Sequence, residues 1–83
     1  MLSPVTSRDD IRGFISDTFF VDNFQDEDSF LRNRIIDSTG MMELVAFLEQ
    51  KYGIKVEDKE LVPENLDSLR NVCAFLERKR GRS

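Results

Sequence analysis

Asp37-Ser38-Thr39-Gly40-Met41-Met42-Glu43-Leu44-Val45 begins where an acidic stretch without periodicity gives way to an amphipathic helix. Met41, Leu44, Val45, Leu48 and Tyr52 recur at helical spacing, and Gly53 ends the stripe, so a helix is predicted over 38–53. A serine hydroxyl at this boundary is exposed and faces a helix start. The unpaired N–H groups there, carrying roughly half a positive charge, stabilise an anion attached to it. A phosphodiester on Ser38 fits that position. So does the ordinary role in which Ser38 or Asp37 simply caps the helix.

Two further helical periodicities flank this one. Upstream, Ile11, Phe14, Ile15, Thr18 and Phe19 follow Thr6 or Ser7, with Asp9 and Asp10 in the opening turn, which predicts a first helix over 7–20. Downstream, Leu69, Val72, Cys73 and Leu76 follow Asp67 or Ser68, predicting a last helix over 68–80 and a tail at 81–83. Val62-Pro63-Glu64-Asn65-Leu66 has the length of one helical turn, started by Pro63, giving a short helix over 62–66. The connection 21–37 is long for a small helical domain. Its Phe24, Phe30, Leu31, Ile35 and Ile36 are expected to pin it across the helices. The class is therefore all-α: a small four-helix bundle of three long helices and one short one, in a single domain over 1–83.

Composition removes most catalytic chemistry. The 83 residues contain no histidine and one cysteine, Cys73, which excludes a Ser/His/Asp triad, a Cys/His dyad, a Cys/His zinc site and an internal disulfide. A chain of this size buries only about 60% of its unfolded surface, leaving little room for an enclosed active site. A carrier or interaction module is expected, without catalytic activity of its own. No apolar run approaches the roughly 20 residues of a membrane span. The start lacks a basic-then-apolar signal pattern, so a cytoplasmic location is expected.

Residues 1–77 carry 8 basic against 16 acidic groups, a balance of -8. Such a surface repels nucleic acid and attracts basic partners. Arg78, Lys79, Arg80 and Arg82 close the chain; cations there complement the last helix dipole and are expected to be a frayed, solvated end.

Two other motif readings fail on spacing. Asp22, Asp26, Glu27 and Asp28 invite a calcium loop, but a start at Asp22 puts Phe24 and Glu27 where an oxygen ligand and a glycine are required. Asp37-Ser38-Thr39-Gly40 has one residue too many for the Asp-Thr/Ser-Gly signature of aspartic proteases, and no second copy is present.

Ile36-Asp37-Ser38, Glu43-Leu44-Val45, Leu48-Glu49 with Tyr52-Gly53-Ile54, and Val62-Pro63-Glu64-Asn65-Leu66-Asp67-Ser68 together resemble the acyl carrier proteins over most of the chain. The resemblance implies a right-handed bundle of the acyl-carrier type and 4'-phosphopantetheine esterified to Ser38. The arm comes from coenzyme A through a separate phosphopantetheinyl transferase. It would carry acyl groups as thioesters to ligase or synthase enzymes of lipid or secondary-metabolite biosynthesis. Asp37 is then the ligand of a magnesium ion held between carrier and transferase. Outward positions of the central helix, namely Thr39, Met42, Glu43, Ala46, Glu49 and Gln50, become the partner-binding face. Glu43 and Glu49 match acidic positions that dock onto basic enzyme patches. The expected state is a monomer, and the acyl chain is expected to slip into a core of Phe14, Ile15, Leu44, Val45, Leu48, Val72, Cys73 and Leu76.

The sequence departs from the family pattern at Thr39-Gly40, where an apolar residue commonly follows the serine, at Arg32 and Arg34, and at Lys51. These departures favour a specialised stand-alone carrier. A peptidyl or aminoacyl carrier and a non-carrier helical module, with Ser38 only a cap, are the alternatives.

Overall fold

The first apolar stripe forms helix α1, Ser7–Phe19, with Asp9 and Asp10 in the first turn, where carboxylates complement the exposed N–H groups. Residues 7–80 are described by a computed structural model. Thr6, the alternative cap of α1, lies outside the described residues. Helix α2 spans Ser38–Tyr52 and stops at Gly53, whose φ of 67° allows its N–H to reach the Glu49 carbonyl. A 3₁₀ turn at Asp58–Glu60 follows, which the apolar pattern does not announce. Helix α3, Pro63–Leu66, is the single turn begun by proline. Helix α4 runs Leu69–Lys79, capped by Ser68, whose side chain accepts from the Asn71 N–H. The described residues are all-helical, with no strand. No helix among them is long and apolar enough to cross a membrane.

Helix α4 packs against α1 and α3. The core is one cluster: Ile11 and Ile15 from α1, Leu44, Val45 and Leu48 from α2, Leu66 from α3, Leu69, Val72, Phe75 and Leu76 from α4. Phe24, Phe30 and Ile36 of the long connection complete it. Two core expectations need correction. Cys73 is only half-buried and Phe75 holds the inward place on α4, because turning the larger ring inward removes more apolar surface from water than turning a thiol inward. Phe14 is half-buried too, stacked on Phe47 with ring centroids 4.1 Å apart.

The long connection is anchored at several points, among them the Phe24 carbonyl, which accepts Arg12 Nη2 at 2.7 Å. The Asp26 carbonyl accepts the Arg70 N–H at the start of α4, while its carboxylate takes both Arg8 Nε and Nη2, at 2.7 and 2.9 Å, and Arg12 Nη2 at 3.2 Å. Those hydrogen bonds hold the Asp26 carboxyl below the usual carboxylate range, Arg8 contributing most. Further on, Asp67 accepts the Leu31 N–H at 2.9 Å and the Ser29 hydroxyl, and its carbonyl accepts the Phe30 N–H at 2.7 Å. Leu31 departs from expectation: it is 45% exposed and pins nothing inward.

The basic end is engaged rather than frayed. Lys79 Nζ bonds both oxygens of Glu60, Arg78 Nη2 donates to Asn65 Oδ1, and the Arg80 guanidinium lies 5.3 Å from the Tyr52 ring centroid. The tail at 81–83, Arg82 included, lies outside the described residues.

Candidate functional site

Asp37 adopts an extended backbone and accepts the Gly40 N–H on Oδ1 at 2.7 Å, so it is Asp37 that caps α2. Its second oxygen makes no hydrogen bond among the described residues. Ser38 is the first helical residue, exposed, with its hydroxyl in no hydrogen bond among the described residues. The two readings of this pair thus separate: the aspartate does the capping and the serine is left free. Helix geometry holds Ser38 beside the remaining first-turn N–H groups, where an oxygen-linked anion is stabilised.

Gly40 explains a residue that looks unfavourable in a first turn. It is buried, and a Cβ built there would lie 2.6 Å from Phe19 Cε1 and 3.1 Å from Ile36 Cγ2. Glycine lets the end of α1 press against the start of α2, and that contact fixes where Ser38 is presented. Sequence periodicity carries no signal for such an approach.

Beside Ser38 opens an apolar groove of about 170 Å³ between the start of α2 and the α3 segment. Leu31, Met41, Met42, Leu61, Val62, Pro63 and Leu66 line it together with Ser38 and Asp67. Neither Leu61 nor Val62 was among the residues expected at the site; the signal is their apolar character directly before Pro63, on the turn that faces the helix start.

On the outward face of α2, Thr39, Met42, Glu43, Ala46 and Gln50 are exposed, Met42 at 53%. Glu49 departs from that set. It is half-buried, and its Oε2 accepts the Val56 N–H at 2.9 Å, so its carboxylate holds the connection after α2 instead of standing free. Lys51 lies 3.8 Å from Asp10 Oδ2. Arg32 and Arg34 are exposed and make no ion pair among the described residues.

The Pro63–Ser68 stretch supports the groove residue by residue. Asn65 Nδ2 donates to the Glu60 carbonyl, Leu66 is buried, Asp67 holds the loop and Ser68 caps α4. Fold and site together define a small helical bundle presenting one free serine at a helix start beside an apolar groove. No protein-family model matches the chain, and comparison with curated proteins finds no similar sequence.

Proposed function

We propose that the protein is an acyl carrier, modified on Ser38 by 4'-phosphopantetheine and serving dedicated partner enzymes. The observation that supports this most is the free, exposed Ser38 hydroxyl at the start of α2, next to a groove lined by apolar side chains. The Ser38 oxygen attacks the phosphorus that bears the pantetheine in coenzyme A, the pyrophosphate bond breaks to release 3',5'-adenosine diphosphate, and the serine proton goes to a base of the modifying enzyme. Asp37 keeps one carboxylate oxygen on the helix, and its other oxygen would hold a magnesium ion shared with that enzyme, which would supply charge stabilisation to the transferred phosphate. When bound, the arm supplies a thiol that holds acyl groups as thioesters. The groove residues shield apolar cargo from water, and Glu43 and Met42 meet the partner.

The test is the intact mass after incubation with coenzyme A, magnesium and a broad-specificity phosphopantetheinyl transferase. One phosphopantetheine should appear on the peptide containing Ser38, and Ser38→Ala should remain unmodified while keeping its fold. Asp37→Asn retains capping ability, so its melting temperature should barely move while transferase turnover falls sharply. A modified Ser38→Ala protein would overturn the assignment.

A further inference from the structure

Five basic side chains among the described residues, Arg8, Arg12, Lys51, Arg70 and Lys79, each lie within 4.0 Å of a carboxylate. Arg32 and Arg34 do not, nor do Lys55 and Lys59, but of these four only the two arginines stand on the turn that carries Leu31 of the groove. They stand on a turn held at several points: Arg32 N–H donates to Ser29 Oγ at 3.0 Å, Asn33 N–H to the Ser29 carbonyl at 3.0 Å, and Arg34 N–H to the Leu31 carbonyl at 3.2 Å. Arg34 occupies the left-handed region at φ 58°, which sharpens the turn. The Asp67 carboxylate on this wall is occupied by the Leu31 N–H and the Ser29 hydroxyl.

Leu31, next to Arg32, and Met42, next to Glu43, are exposed at 45% and 53% and both line the groove that Ser38 borders. An enzyme that takes Ser38 or its arm into an active site covers these two side chains. It then meets the charges beside them, and those are of opposite sign.

The geometry points to a docking surface of mixed sign around the groove, formed by Arg32 and Arg34 on the loop, Glu43 on α2, and the exposed Leu31 and Met42 that line the groove with Ser38. It fits a partner enzyme that places acidic side chains opposite the arginine turn and basic ones opposite Glu43. This rests on the carrier reading and adds a specificity rule to it. A partner whose docking surface is basic throughout is repelled by the turn, and one of mixed sign is held in a single orientation.

The experiment uses a phosphopantetheinyl transferase with a basic docking surface, coenzyme A and the full chain, and measures kcat/KM for modification. Arg32→Glu with Arg34→Glu should be modified about tenfold faster than wild type at low ionic strength. The single variant Arg32→Gln should fall between, and Glu43→Lys should be slower. The gain should shrink toward unity near about 0.5 M salt, where exposed charges are screened. Melting curves verify that each variant is folded. Wild type modified with no gain in the double variant overturns the specificity rule alone, as does a gain that persists at high salt. No modification of any variant overturns the carrier reading and this inference with it.

Discussion

At Gly40 the first turn of α2 and the last turn of α1 come so close that a methyl group has no room: the added carbon would sit 2.6 Å from the Phe19 ring. Alanine gains about 1 kcal/mol of helix propensity over glycine, whereas overpacking costs about 1–3 kcal/mol. The ring is held edge-on by Phe14, with centroids 6.2 Å apart, so displacing it uncovers apolar surface. Gly40→Ala is therefore expected to lose about 1 kcal/mol and melt several degrees lower. Adding Phe19→Ala to it should cost less than the sum of the single changes, because the clash is then gone. An unchanged or raised melting temperature for Gly40→Ala would contradict the close approach. Seen from the sequence, this glycine is only a loosened turn. Its meaning depends on a ring 21 positions upstream that local patterning does not connect to it.

Among the elements, the three long helices were legible because each buries a stripe that repeats with the helical period, and α3 because proline starts it. The Asp58–Glu60 turn was not legible. It depends on the Glu57 N–H donating to Glu60 Oε1 and on Lys79 reaching the same carboxylate from α4. These are polar contacts without a period, one of them between distant positions. Glu49 was misplaced on the docking face for the same reason: its spacing is that of an outward residue, but the backbone at Val56 captures its carboxylate. For the long connection, Phe24 and Phe30 announced an ordered segment, whereas the Arg8–Asp26–Arg12 clamp could not be read from charge alone. That clamp gives the connection a definite response to acid. The folded-state pKa of Asp26 lies below its ordinary value of 3.8, so its contribution is fully present above that value and is lost as pH falls through the lower folded one. Asp26→Asn is expected to melt a few degrees below wild type near neutral pH, a cost of about 1 kcal/mol for a partly exposed charge-assisted pair. The gap should narrow steadily below about pH 4 in circular-dichroism melts. A gap independent of pH would assign the loss to packing instead.

For the whole molecule, the core and the groove beside Ser38 meet at Leu66, which belongs to the core cluster and also lines the groove. Leu44, Leu48, Val72 and Leu76, among the residues of the expected hiding place, are each at most 1% exposed, so cargo reaching them has to part the helices. Apolar cargo carried from Ser38 should first lie along Met41, Val62 and Leu66. Each methylene removed from water there contributes about 0.8 kcal/mol. A medium-chain acyl form is therefore expected to melt above the holo form, with its largest NMR shifts at those three residues and smaller ones at Leu44 and Leu48. Shifts confined to the arm, with no change in melting, would place the cargo outside the protein.

Asp67 makes the two walls of the groove unlike in construction. By holding Leu31 through its carboxylate and Phe30 through its carbonyl, while closing the end of α3, it joins the loop wall and the α3 wall into one body. Spreading Leu31 from Leu66 breaks those hydrogen bonds; spreading both together from α2 leaves them intact. The cleft thus has one wall made by α2 and one made by loop and α3 tied into a single hydrogen-bonded unit. The arginine turn belongs to that unit, so Asp67 serves as its keystone: one side chain ties the charged turn to the apolar wall of the groove.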